Sequence, residues 1–382
     1  MTTRIKSNRI LLRNGETDGY VYFSNGVITA VTSEELPFDR EIDGGDLILS
    51  PGFIDVHTHG GGGHNFSDSA EDVAEACRFH LSHGTTSICP TLASAPFAKM
   101  AKAVTYVEEV MKNNTTGCNV LGTHLEGPYF SMKQSGAQSP DHITPPVKAD
   151  YEKLIKEHGS AVIRWSYAPE NDEGGEFCRY LTSHGISASA GHTDAVYNDM
   201  KVAMANGLDS VTHLFSCTST ITRDHGYRIL GVTETALLHD EIYAEIIADG
   251  KHLPPELIRM IVKAKGSDRV MLVTDSLPLA GTDAKEGMLV DIPFVIEDGV
   301  CRLMDRSAFA GSIATTDRLV RVVHQDAGLP LFEAVKMASA IPAEALGVKE
   351  RGEIKVGMAA DLLLFDDSIN IAHIWVNGQQ IR

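Results

Sequence analysis

The chain has 382 residues, 43% of them hydrophobic and 22% charged, a composition that excludes a disordered, collagen-like or coiled-coil protein. Its 33 basic and 51 acidic residues leave a net charge of −18, which argues against a nucleic-acid partner and requires any anionic ligand to meet local cations. No apolar run approaches the roughly 18 residues of a membrane span, so no membrane partner is expected.

The chain opens on MTTRIKSNRILLRNGE, which lacks the apolar core of a secretory signal. YVYFSNGVITAV alternates apolar and polar residues around Asn25-Gly26, a hairpin signal. The last stretch, ADLLLFDD followed by IAHIWVNGQQIR, reads as more strand with a second Asn-Gly turn. Neither end carries enough apolar residues for a core of its own. Residues 1–50 and 355–382 are therefore expected to meet in one small β-sandwich domain.

Between the ends, eight short apolar runs stand at 47–56, 87–90, 120–125, 161–167, 186–190, 210–214, 243–248 and 270–274. Helical periodicity fills most gaps, as in AEDVAEACRFHLSHG and PPELIRMIVKAKG, and several of these segments close on a glycine C-cap signal. Eight strand–helix alternations over 51–354 predict an α/β chain with a closed (β/α)8 barrel. VDIPFVIEDGVCRLMD interrupts the pattern and predicts a hairpin insertion near 285–305. Helices resume through 316–328 and 331–346. The six cysteines are scattered without a CxxC pair, which suits reduced thiols and a cytoplasmic location.

The polar residues that close these runs carry the chemistry. His57 and His59 close the first, His124 and Glu126 the third, His192 the fifth and His213 the sixth; His252 follows the seventh, and Asp275 closes the eighth. In a barrel all these positions converge on the C-terminal face. Imidazoles and carboxylates together suit a divalent transition metal, zinc first and iron second. Strand alternation points His57 and His59 the same way, so both can grip one ion. Asp275 is the candidate to move a proton from water. His124 shares a face with Glu126 and is expected to stand behind the ligands. His80 and His83 belong to an outer helix, and residues 60–63 lack the pattern of a phosphate loop. No GxSxG elbow supports a serine nucleophile.

PGFIDVHTHG at 51–60, HLEGP at 124–128, SAGHT at 189–193, THLF at 212–215, IIADGKH at 246–252 and VTDS at 273–276 resemble the amidohydrolase superfamily, and more closely its N-acetylglucosamine-6-phosphate deacetylase family. The resemblance spans essentially the whole chain. It implies removal of an N-acetyl group from an amino-sugar phosphate. It also implies that Glu126, His192 and His213 hold the main metal, that Asp275 is the general acid/base and that His252 contacts substrate and polarises the acetyl carbonyl. Arg223 matches a phosphate-contacting arginine, with Arg228 beside it. Ala137, Gln138, Ser216, Cys217, Phe309, Ala310 and Gly311 fall where other sugar contacts lie. The histidine pair makes a second ion an expectation, so one or two ions per chain, and a homodimer is expected. Departures from the family pattern, Gln138 and Ser216-Cys217 among them, all fall on the sugar side. The sugar therefore stays open among N-acetylglucosamine 6-phosphate, N-acetylgalactosamine 6-phosphate and an unphosphorylated relative, and the alternative activity is that of another amidohydrolase such as a cyclic amidase or deaminase.

Overall fold

The computed structural model describes residues 1–113 and 116–382. Eight parallel barrel strands follow one another around the sheet. They are β1 (Phe53–Thr58), β2 (Thr85–Leu92), β3 (Thr123–Glu126), β4 (Val162–Tyr167), β5 (Ser187–Ala190), β6 (Ser210–Val211), β7 (Tyr243–Ile246) and β8 (Val270–Leu272). A two-residue strand, Asn119–Val120, precedes β3 and also pairs with β2. The chain leaving β8 closes the ring on β1: Asp275 N donates to the His57 carbonyl at 2.9 Å, and His59 N to the Ser276 carbonyl at 2.8 Å. Buried Asp55 adds a second tie, its carboxylate accepting from Thr274 Oγ1 at 2.6 Å and from the His57 backbone N–H at 3.2 Å. Every residue of β1 is buried, as expected of parallel strands covered on both faces.

The outer helices include Ala70–Ser82, Phe97–Asn113, Lys148–His158, Glu176–Ser183, Tyr197–Ala205 and Pro255–Lys265. Ser69 caps the first of them, its hydroxyl accepting from Asp72 N. The same helix buries His80, whose Nε2 lies 2.9 Å from the Gly60 carbonyl and 3.1 Å from Thr58 Oγ1. Burial pushes that imidazole down to about 4, so it is a neutral strut beneath the end of β1.

Three sequence expectations change in detail. The run at 47–56 is two strands, not one. Ile48–Pro51 pairs antiparallel with Leu362–Phe365 in the terminal sheet, and Gly52 separates it from β1. The insertion near 285–305 is a three-stranded meander of Glu286–Leu289, Ile292–Glu297 and Val300–Leu303. The helical stretch at 331–346 breaks into Leu331–Met337 and Ala340–Ala345.

Strands from both chain ends form one hydrogen-bonded sheet, in which Thr2–Leu12 pairs with Gly15–Ser24, Arg40–Asp43 and Ile48–Pro51. The sheet curls until its ends meet: Ala360 N donates to the Gly26 carbonyl at 2.8 Å, beside the Asn377-Gly378 turn. Ile5, Val21, Phe23, Leu49, Leu364 and Trp375 fill the space it encloses.

Gly52 is the joint between sheet and barrel. A Cβ there would lie 2.1 Å from Thr86 Oγ1 and 2.8 Å from Thr86 Cβ, and that β-branched side chain is buried. Gly52→Ala is therefore expected to cost about 1–3 kcal/mol through overpacking. A lowered urea midpoint at unchanged m-value is the measurement that checks it.

Candidate active site

The C-terminal ends of the barrel strands surround a cavity of about 300 Å3, lined among others by His59, Glu126, His192, His213, His252 and Asp275. Glu126, at the end of β3, is the centre of the set. Its Oε1 lies 3.2 Å from His192 Nε2, 3.1 Å from His213 Nε2 and 3.4 Å from His57 Nε2, while its Oε2 lies 3.3 Å from His59 Nε2. Asp275 Oδ1 stands 3.5 Å from His57 Nε2 and 3.2 Å from His59 Nε2. His192, His213 and Asp275 all have left-handed backbones, with φ of 45°, 30° and 46°. A strand that ends this way bends sharply. The strain costs on the order of 1–3 kcal/mol per residue and is typical of side chains held for function.

Two buried groups have the composition and closeness of cation sites: Glu126 with His192 and His213, and His57 with His59 and Asp275. Hydrogen bonding in the first group tests the fit. His192 Nδ1 lies 2.9 Å from the Gln134 carbonyl and His213 Nδ1 lies 3.0 Å from the Ser216 carbonyl. A carbonyl only accepts, so both Nδ1 atoms carry a proton and both Nε2 atoms are the ones turned inward, where a metal would be bound. Those two nitrogens are 3.2 Å apart beside a carboxylate oxygen, three potential donors converging on one point, as a cation site requires. In the second group His57 Nε2 is buried and without a hydrogen bond, facing two carboxylate oxygens. Both donor sets fit a divalent metal.

Charge states follow the same geometry. Burial pushes the Glu126 carboxyl up, but His57, His192 and His213 outweigh it and hold the group well below the usual carboxylate range. Burial opposes ionisation of Asp275 too, yet His57 and His59 hold its carboxyl below the ordinary value. Both are carboxylates at neutral pH, one suited to ligate and the other to accept a proton.

The remaining expected residues separate into four kinds. Ala137, Ser216, Cys217, Phe309, Ala310, Gly311 and His252 line the cavity. His252 Nδ1 lies 3.0 Å from Asp249 Oδ2, and its ring packs 4.8 Å from that of Phe309. Gln138 also borders the cavity, but its amide is committed elsewhere: Nε2 donates to Glu126 Oε2 at 2.6 Å and Oε1 accepts from Ser94 N at 2.8 Å. Arg223 and Arg228 are cross-strand partners on an exposed hairpin of Thr222–Asp224 and Tyr227–Ile229, outside the cavity wall of the described residues. His124 stands behind the ligands, 3.1 Å from Thr91 Oγ1 and 2.7 Å from Ser166 Oγ.

Sequence reasoning missed a buried acid and base beneath the site. Glu245 of β7 and Arg164 of β4 form an ion pair inside the barrel, and Glu245 Oε2 lies 3.3 Å from His57 Nδ1. The available signal was a charged residue in the middle of an otherwise apolar parallel strand, in YAEI and again in VIRWSY.

Comparison with known proteins places this geometry in a family. The Amidohydrolase family model matches residues 48–381. An N-acetylglucosamine-6-phosphate deacetylase of Vibrio furnissii is 31% identical over 362 residues, covering 94% of this chain and 89% of the relative. An N-acetylgalactosamine-6-phosphate deacetylase of Escherichia coli O157:H7 is 29% identical over 384 residues, covering 99% of each chain. A mutant N-acetyl-D-glucosamine-6-phosphate deacetylase of Mycobacterium smegmatis, solved in complex with N-acetyl-D-glucosamine-6-phosphate, superposes with a TM-score of 0.91 at 27% identity over 99% of each chain. The chain thus belongs to the amidohydrolase family, in the branch that holds the N-acetylglucosamine-6-phosphate deacetylases.

Proposed function

We propose that the chain hydrolyses the N-acetyl amide of a hexosamine 6-phosphate, N-acetylglucosamine 6-phosphate first, to the free amine and acetate. The observation that carries this reading is the pair of buried ligand groups meeting at Glu126 on the floor of a cavity large enough for a sugar. Glu126, His192 and His213 would hold one divalent ion, and His57, His59 and Asp275 a second. Zinc fits the imidazole and carboxylate donors best, with iron next. When bound, such an ion supplies Lewis acidity, lowering the pKa of water toward ~7 and drawing charge from a carbonyl oxygen.

The chain's own groups do the rest. Asp275, ionised and lining the cavity, takes the proton from the attacking water. It then returns that proton to the amine nitrogen as the C–N bond breaks, because an amine leaves poorly until protonated. His252 reaches the substrate through Nε2, since Asp249 occupies Nδ1. That nitrogen is proposed to polarise the acetyl oxygen, while Asp249 fixes the orientation of the ring. Ala137, Ser216, Cys217 and Phe309 shape the sugar pocket, while Gln138 fixes the Glu126 carboxylate. The enzyme would act as a cytoplasmic homodimer; among the described residues no helix is long and apolar enough to cross a membrane.

N-acetylgalactosamine 6-phosphate is the second reading, favoured by the match to the galactosamine deacetylase over 99% of both chains. Acetate release from N-acetylglucosamine, N-acetylgalactosamine and their 6-phosphates, with metal-analysed protein, tests both. N-acetylglucosamine 6-phosphate is expected to show the highest kcat/KM. Release that is fastest from either unphosphorylated sugar would refute the phosphate assignment.

Arg223 is the proposed phosphate contact, since a chain of charge −18 needs a local guanidinium to hold a dianion. Arg223→Ala is expected to raise KM about tenfold or more for the phosphorylated sugar, by loss of one charge-assisted contact, and to leave KM for the unphosphorylated sugar nearly unchanged. Equal losses on both sugars would assign this exposed arginine elsewhere.

A further inference from the structure

We infer that Glu245 is a positioning residue that prepares His57 to bind an ion and so tunes the second of the two proposed sites selectively. The inference rests on the two-ion reading above. Glu245 is fully buried on β7, below the ligands and out of reach of the cavity wall. Its Oε2 lies 3.3 Å from His57 Nδ1 and accepts the His213 backbone N–H at 3.1 Å. Its Oε1 pairs with the Arg164 guanidinium, which also donates to Ser189 Oγ at 2.8 Å and Ser210 Oγ at 3.3 Å. Glu245 therefore meets a side chain of one ligand group and the backbone of the other.

An ionised carboxylate has only acceptors to offer, so the His57 ring must present Nδ1–H to it. That choice of tautomer leaves Nε2 bare, facing Glu126 and Asp275. His192 and His213 reach the same state through neutral backbone carbonyls. His57 alone among the proposed ligands is backed by a carboxylate, a stronger acceptor for its ring N–H than a neutral carbonyl. The Arg164 guanidinium pairs with that carboxylate inside the barrel, so the charge that faces His57 has a buried partner of opposite sign. A purely structural ion pair would need only the His213 N–H at Oε2 and would leave the contact with His57 Nδ1 without a use.

Removing Glu245 alone would strand the buried Arg164 charge and endanger the fold. Two double variants avoid this. Arg164→Met with Glu245→Gln keeps an acceptor for the His213 N–H but loses the charge. Arg164→Met with Glu245→Leu loses the acceptor as well. Each is stripped of metal, checked for folding by circular dichroism and thermal melting, and titrated with zinc by calorimetry; cobalt titration follows the visible spectrum. His57→Gln serves as the comparator. The expected wild-type result is two ions of unequal affinity. In the Gln variant the tighter ion is unchanged while the weaker binds about tenfold less tightly; in the Leu variant, which also strips the His213 N–H of its acceptor, the weaker ion loses about a hundredfold and far more than the tighter one. The cobalt bands lost should be those lost in His57→Gln. Should the Leu variant not fold, the Gln variant decides. A folded variant that binds both ions with wild-type affinity overturns the inference and leaves the two-ion reading intact. Equal weakening of both ions makes the pair merely structural. A wild-type count of one ion overturns the inference together with the two-ion reading.

Discussion

Glu126→Ala is expected to lower bound metal and turnover together, with activity falling about 10²–10⁴-fold, the rate equivalent of several kcal/mol of Lewis-acid stabilisation. Its carboxylate faces all four histidines of the two ligand groups: one oxygen faces His192, His213 and His57, and the other faces His59. Without it the first group is left with two imidazoles, too few to hold an ion in competition with water. Gln138 loses its acceptor as well, so its freed amide has no role left at the site. Elemental analysis of the purified variant, paired with steady-state kinetics, is the check. Wild-type metal content in a folded Glu126→Ala protein would remove Glu126 from the ligand set.

Asp275→Asn should lower turnover by roughly 10²–10⁴-fold, the usual worth of a general acid/base, while the Glu126, His192 and His213 ion stays bound. Asn keeps the shape of the side chain and its place at the β1–β8 junction, where the Asp275 backbone donates to the His57 carbonyl. It cannot take a proton, and it offers His57 and His59 a neutral oxygen in place of a charged one. The second ion should therefore weaken while the first does not. KM should move little, since Asp275 acts on the water and the amine and not on the sugar ring. Near-normal turnover in an Asn variant carrying the first ion would move the proton transfer to another group.

The readability of this site from sequence has a physical basis. In a closed parallel barrel, every strand delivers its C-terminal residue to the same face. His57, His59, Glu126, His192, His213 and Asp275 were therefore locatable once the apolar runs had been counted, although they span more than half of the chain. Strand alternation gave the histidine pair its common direction, and the rings do lie together, with centroids 5.4 Å apart. Hairpins at the chain ends were legible for an equally local reason, since Asn25, Gly26, Asn377 and Gly378 all adopt the positive φ that such turns require.

What stayed hidden depends on contacts across the barrel. Glu245 and Arg164 come from β7 and β4, and no local pattern says that their side chains meet in the interior. The same holds for Gln138, whose neighbours in sequence suggest a sugar contact but whose amide folds back onto Glu126. The run at 47–56 reads as one strand because its apolar content is continuous. The break at Gly52 arises from Thr86, a residue of the next strand.

The central claim is a metal-dependent deacetylation, and one measurement addresses it directly. Purified chain is assayed for acetate and free amine from N-acetylglucosamine 6-phosphate as isolated, after chelation, and after return of zinc. The account predicts acetate and amine in equal amounts, their loss on chelation and their recovery with the ion. Full activity in protein shown by elemental analysis to be free of metal, or no acetate from any N-acetylhexosamine 6-phosphate with both ions bound, would contradict it.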